Sequence, residues 1–235
     1  MNNIKTIFFK ELRSFFDSPV AYIVIVVFLG LLGWFFTSNL FLANVASLRT
    51  VFEMTPFFLL FFGPAMTMRL ISEEKKGGTL ELLVTKPIQE YEIVVGKYLA
   101  AWMLFVITLA PTLIYFLTIS FLGKVDVGPI IGGYLGLVLV GGVFLAVGVL
   151  GSSLSENQIV AFIISFLLVF VLFIIDKILM YFPGFVATIL EYLGVDYHFS
   201  NIARGVIDTR DLVYYFSMIT LSLLLGTVML EKRKW

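Results

Sequence analysis

The sequence has no cysteine and one histidine, and charged residues fill only 14% of its 235 positions. The first absence excludes disulfide scaffolds, thiolate metal sites and cysteine nucleophiles. A single imidazole excludes a multi-histidine zinc site. Charge at 14%, against about 25% in an ordinary soluble domain, leaves too little polar surface to cover a globule. Net charge is missing too, because sixteen Lys and Arg balance sixteen Asp and Glu. That excludes a nucleic-acid binder driven by overall charge, and high hydrophobicity excludes a disordered chain. Also absent are His-Glu-x-x-His, Gly-x-Ser-x-Gly and Gly-x-x-x-x-Gly-Lys-Ser/Thr. The chain therefore reads as a non-enzyme, and any ATP it uses has to be bound by another chain.

What the sequence has is apolar length. Hydrophobic residues make up 60% of it, and the mean hydropathy is +1.03. Six apolar runs, at 19–36, 54–71, 94–121, 128–150, 158–182 and 212–230, each come near the roughly 20 residues that cross a bilayer as a helix. The runs are continuous rather than alternating, which favours helices over a transmembrane barrel. The expected fold is an all-α integral membrane protein with a single transmembrane domain over 1–235. The first run does not read as a cleaved signal peptide, since its basic region is long and no small-residue cleavage site follows Phe36. Pro56, Pro64 and Pro111 fall inside runs and predict kinks. No charged side chain falls near the middle of a run. Asp176 and Lys177 come nearest, toward one end of the fifth. That pattern disfavours a proton- or sodium-coupled carrier and a charged-ring channel.

Charge distribution orients the chain. With the N-terminus inside, the inner segments carry Lys5, Lys10, Arg13, Arg69, Lys75, Lys76, Lys86, Lys97, Lys232, Arg233 and Lys234. Only Arg49, Lys124, Lys177, Arg204 and Arg210 lie outside. The positive-inside rule therefore predicts both termini inside. Aromatics near the run ends, among them Tyr22, Trp34, Tyr98, Trp102, Tyr192 and Tyr214, read as interfacial anchors.

Three segments lie outside the runs. In 1–18, Ile4, Ile7, Phe8, Leu12, Phe15 and Phe16 recur at helical spacing, with Lys10, Arg13 and Ser14 mostly opposite. This predicts an amphipathic helix in the interface, either a simple anchor or an elbow that transmits motion. The loop 72–93 contains Gly77 and Gly78, which break the helix leaving the second run. Thr79 is a candidate N-cap for a short helix over 79–85, with Glu81 in its first turn and Pro87 after it. Leu80, Leu83 and Val84 share one side. From spacing alone, this is either an ordinary surface turn or a knob for a partner's groove. The third segment, 183–211, predicts two short outer helices, one over 185–193 stopped at Gly194 and one near 199–205. Asp208 is a candidate N-cap for the sixth run, with Asp211 three residues on. His198 reads as a lone structural or exposed residue.

The charged segments resemble a family. Phe9-Lys10-Glu11-Leu12 with Phe15-Phe16 and Ser18-Pro19 is similar to the start of ABC type-2 permeases. So are Glu73-Glu74-Lys75-Lys76-Gly77-Gly78-Thr79-Leu80-Glu81-Leu82-Leu83, then Lys86-Pro87, Glu92-Ile93-Val94-Val95-Gly96-Lys97-Tyr98 and Ser153-Leu154-Ser155-Glu156-Asn157-Gln158. Tyr197-His198-Phe199 and the stretch 204–212 resemble the gliding-motility-associated permease subgroup, and also the permease of the nitrous-oxide-reductase copper-loading system. The resemblance implies a type V ABC exporter permease in the bacterial inner membrane. It implies pairing with a second permease copy or a related chain, and two ATPase subunits that bind ATP and Mg. An accessory membrane protein with an outer domain is a further implied partner, alongside lipid but not nucleic acid. By residue match, Glu73, Glu74, Gly77, Gly78, Thr79, Leu80, Glu81, Leu82 and Leu83 form the ATPase-coupling segment, and Lys10, Glu11, Phe15 and Phe16 belong to the elbow helix. Substrate-binding residues are not legible. Outward transport is one reading, and a non-transporting scaffold of an envelope complex is the other.

Overall fold

The computed structural model describes residues 3–78, 88–123, 125–178 and 183–232, without the side chains of 186–189. The described residues contain helices and no strands. Helix α1 (Asn3–Asp17) precedes α2 (Pro19–Phe41), and Ser18 caps α2 by accepting the Val20 N–H, with Pro19 in the first helical turn. Helix α3 (Arg49–Thr67) continues almost directly into the short α4 (Arg69–Lys76). After the loop come α5 (Glu90–Leu109), a 3₁₀ turn (Ala110–Thr112) and α6 (Leu113–Leu122). Helices α7 (Val127–Ser153) and α8 (Gln158–Ile178) form a tight hairpin. Two short helices follow, α9 (Gly184–Leu193) and α10 (Val195–Ala203), before α11 (Thr209–Glu231).

Six of these stretches are long and apolar enough to span a membrane: Pro19–Phe41, Arg49–Lys76, Glu90–Leu122, Val127–Ser153, Gln158–Ile178 and Thr209–Glu231. The second begins five residues before 54 and extends past 71, because α4 prolongs it. The third begins at Glu90 rather than 94, so Lys97 lies two turns into the helix and not at its first turn. Pro111 ends α5 through the 3₁₀ turn, since proline gives no N–H to the helix ladder. Pro56 and Pro64 stay within α3.

Helix α7 is the centre of the bundle, with 72% of its apolar window buried against 17% for α8. Its glycines set that position. A Cβ at Gly133 would collide with the Phe52 ring, and one at Gly141 with the Phe105 ring, so α3 and α5 close onto α7 only where side chains are missing. Tyr98 is buried, and the Trp102 indole donates to the Val138 carbonyl of α7 at 3.1 Å. Tyr98 therefore belongs to the packed interior and not to an exposed belt, and the half-buried Trp102 is tied to α7.

Candidate coupling site

The amphipathic pattern of 1–18 folds as α1, whose buried Ile7 and Phe15 face the bundle. Ile7 sits on Gly96 of α5. A Cβ at Gly96 would stand 2.8 Å from Ile7 Cγ2 and 3.2 Å from the Ile4 carbonyl oxygen, so the missing side chain brings the two helices together. The Asn3 amide donates to Glu92 Oε2 at 2.9 Å, and the same carboxylate oxygen accepts the Gln89 N–H at 3.0 Å. One glutamate thus caps α5 and ties it to α1.

One position further on is Lys97, with 1% of its side chain exposed. Its Nζ donates to Glu11 Oε1 of α1 at 2.9 Å and lies 2.9 Å from Glu74 Oε1 of α4. Lys10, largely exposed, lies 3.5 Å and 3.6 Å from the same two oxygens. Two lysines and two glutamates make a neutral cluster. Burying a lone ammonium costs several kcal/mol, and two carboxylates in contact offset that cost. The cluster joins three helices that are distant in sequence. Glu74 and Lys97 stand on either side of the loop that carries 79–87, and both are held by α1.

The second span breaks just before this cluster. Ser152, at the end of α7, donates to the Met68 carbonyl at 2.9 Å and accepts the N–H groups of Ile71 and Ser72 at 3.1 Å and 3.2 Å. A hydroxyl inserted into the helix ladder is a recognised cause of a kink. The Lys75 ammonium donates to the Ser153 carbonyl, where cations suit a helix C-terminus. The Gly148–Ser153 run is a contact zone, because a Cβ at Gly148 would strike Thr67 and one at Gly151 would strike Ser165. Arg69 donates to Ser18 Oγ at 3.4 Å, and its guanidinium lies 5.2 Å from the centre of the Phe15 ring. Phe16 meets Tyr22 edge-on at 6.0 Å.

The sequence-derived residues are therefore placed unevenly. Lys10, Glu11 and Glu74 come together on Lys97. Phe15 is buried, Phe16 packs on Tyr22, and Glu73 is exposed. Gly77 ends α4 with its N–H on the Glu73 carbonyl at 2.9 Å, and Gly78 has φ 65°, a conformation that favours glycine. Thr79, Leu80, Glu81, Leu82 and Leu83 lie outside the described residues. Sequence reasoning misses Lys97 as a hub and Ser152 as a wedge. A lysine following a glycine within an apolar run is the available signal, since such a charge needs a partner.

The far end of the bundle holds a second polar cluster, in which His198 is not alone. Its Nδ1 lies 2.6 Å from Asp211 Oδ1, its Nε2 lies 3.1 Å from the Tyr192 carbonyl, and its ring stacks on Tyr214 at 4.0 Å. Both residues of the pair are buried. Asp211 thus faces His198 and does not complete a capping box. Asp208 alone caps α11, accepting the Arg210 N–H at 2.9 Å. Asp176 of α8 accepts the Asp196 N–H at 2.9 Å and so caps α10 from a neighbouring helix. A Cβ at Gly194 would occupy the space of that carboxylate. Lys177 pairs with Asp196.

The arrangement is a helical membrane bundle with an amphipathic N-terminal helix clamped to both flanks of the loop between the second and third spans. Residues 6–235 match the family described as ABC-2 family transporter protein. The chain belongs to that family and is a multi-pass membrane component, the permease subunit of an ABC transporter, which works with an ABC ATPase. No curated protein sequence matches it.

Proposed function

We propose that this permease couples ATP hydrolysis on separate ATPase subunits to outward movement of substrate, through the loop 72–93. The observation that carries this reading is the buried Lys97 held between Glu11 and Glu74. Force applied to a helix over 79–85 would reach α4 on one side and α5 on the other. With Lys97 clamped to both, the three helices move as one body. The Ser152 wedge in the second span supplies the point about which α4 turns. The positive-inside count puts this end, both termini and the loop in the cytoplasm. Two ATPase copies bind below, and a second permease copy or related chain completes the assembly in the bacterial inner membrane.

The likeness of Tyr197-His198-Phe199 and 204–212 to the gliding-motility subgroup favours a second reading. In it the ATPase drives mechanical work on an envelope complex through an accessory protein at the outer end.

The test is affinity purification from the native membrane with mass spectrometry. A stoichiometric P-loop ATPase is expected with the unaltered chain and lost with Leu80→Glu combined with Leu83→Glu. Retention of both the ATPase and its activity by that variant overturns the coupling assignment. Transport of labelled substrate in proteoliposomes separates the exporter from the mechanical device.

A further inference from the structure

At the end opposite Lys97 a cavity of about 830 Å³ opens between α3, α7, α8 and α10. Its volume lies within the roughly 300–1,000 Å³ of small-molecule sites. The inner wall is apolar and aromatic, built by Phe52, Phe57, Ile130, Phe173 and Phe199. The rim carries both signs of charge. Arg49 is bonded to Glu53 at 2.8 Å, and Lys177 is paired with Asp196. The remaining rim charges, Asp126 and Arg204, make no ion pair among the described residues. Asp126 uses one oxygen to accept the Gly128 N–H at 3.2 Å, and Arg204 is exposed. The two stand at one junction, because Gly205 packs against the backbone of Gly128 and Pro129.

The aromatic wall does not stop at the cavity. Phe57 meets Phe61 at 6.2 Å, Phe61 meets Phe166 at 5.1 Å, and Phe166 stacks on Phe170 at 5.8 Å. Phe57, Phe61 and Phe170 are 45%, 48% and 36% exposed. An apolar track therefore runs from the charged mouth down the exposed side of α3 and α8. A soluble solute has no use for such a track, whereas an amphiphile does.

We infer that this cavity is a binding site for a membrane phospholipid with a zwitterionic, primary-ammonium head. The phosphate meets the Arg204 guanidinium, the ammonium meets the Asp126 carboxylate, and an acyl chain lies along Phe57 and Phe61. Guanidinium to phosphate and ammonium to carboxylate are charge-assisted contacts that select a head carrying both signs. A purely anionic head gains at Arg204 but meets repulsion at Asp126.

The experiment uses the full chain in phosphatidylglycerol nanodiscs doped with a phosphatidylethanolamine that carries a diazirine high on one acyl chain. Cross-links are expected on the peptides holding Phe52, Phe57 and Phe199, about tenfold above those from a phosphatidylglycerol probe with the same diazirine, the scale of one charge-assisted contact. Arg204→Gln, an exposed change that leaves the core untouched, should remove most of that preference. Ala203→Trp, which fills the cavity, should remove the labelling. Equal labelling by the two probes, or labelling unchanged in both variants, overturns the assignment. Displacement of the probe by soluble phosphoethanolamine also overturns it, since that marks a site for a free solute and not for a lipid.

Discussion

The two ends of the bundle solve the same problem differently. Each buries polar groups among apolar helices, and each pairs them with groups from other elements. At the Lys97 end the partners come from α1 and α4, 86 and 23 positions away in sequence, and they grip both flanks of one loop. At the His198 end the partners are local. Tyr192, Asp211 and Tyr214 lie within sixteen residues of the imidazole and fold α9 and α10 onto the start of α11. The first cluster ties both flanks of a loop to α1, whereas the second holds two short helices to the start of α11. The contrast teaches that a buried polar cluster's role follows from which elements it joins, more than from its strength.

Lys97→Met should have the largest effect. It leaves Glu11 and Glu74 without their buried partner, at a cost of about 3–5 kcal/mol. Thermal unfolding in detergent should fall steeply, and the triple change with Glu11→Gln and Glu74→Gln should recover most of the loss. Recovered stability without recovered ATPase coupling would sharpen the comparison, because it separates holding from transmitting. At the far end, His198→Phe keeps the ring but strands Asp211, with an expected loss of about 1.5–3 kcal/mol. That variant should still co-purify with the ATPase and retain its stimulation. If it uncouples the ATPase as Lys97→Met does, the distinction between the two ends is broken.

Smaller effects refine the picture. Gly194→Ala forces a methyl against the Asp176 carboxylate that caps α10, and overpacking of this kind costs about 1–3 kcal/mol. Hydrogen exchange should rise in α10 alone. Ser152→Ala removes the wedge at the break in the second span, and the stranded Ile71 N–H costs about 1–3 kcal/mol unless the helix straightens to re-pair it. A less kinked helix with unchanged stability, seen by spin-label distances across Met68, would identify Ser152 as the cause of the bend. The smallest effect belongs to Arg49→Gln. Its pair with Glu53 is exposed and lies one turn apart on a helix, so the change should stay within about 0.5 kcal/mol.

Much of this molecule is legible in its sequence. The six spans are, because a bilayer demands long apolar runs and little else in a sequence produces them. The Ser18-Pro19 start of α2, the stop at Gly77 and Gly78, and the Asp208 cap are legible for a similar reason, since caps and turns depend on the few residues around them. Lys97, by contrast, reads as one more basic residue at the inner end of the third run. Helix ends are poorly marked where an apolar run shades into a charged one, and nothing local announces that the run starts at Glu90. His198 reads as alone because Asp211 looks committed to a capping box. Tyr98 and Trp102 read as anchors because aromatics at the end of a run look alike until packing is known.

The sequence by itself determined a helical, six-span membrane protein, its family, and the helical character of residues 3–17. Each of these follows from composition, periodicity or short motifs acting over a few turns. Tertiary structure alone decided that Lys97 binds Glu11 and Glu74, that Ser152 bonds into the break of the second span, and that Asp176 caps a helix it does not belong to. Those choices rest on which side chains meet when α7's glycines let other helices close in, and such meetings depend on the packing of the whole bundle.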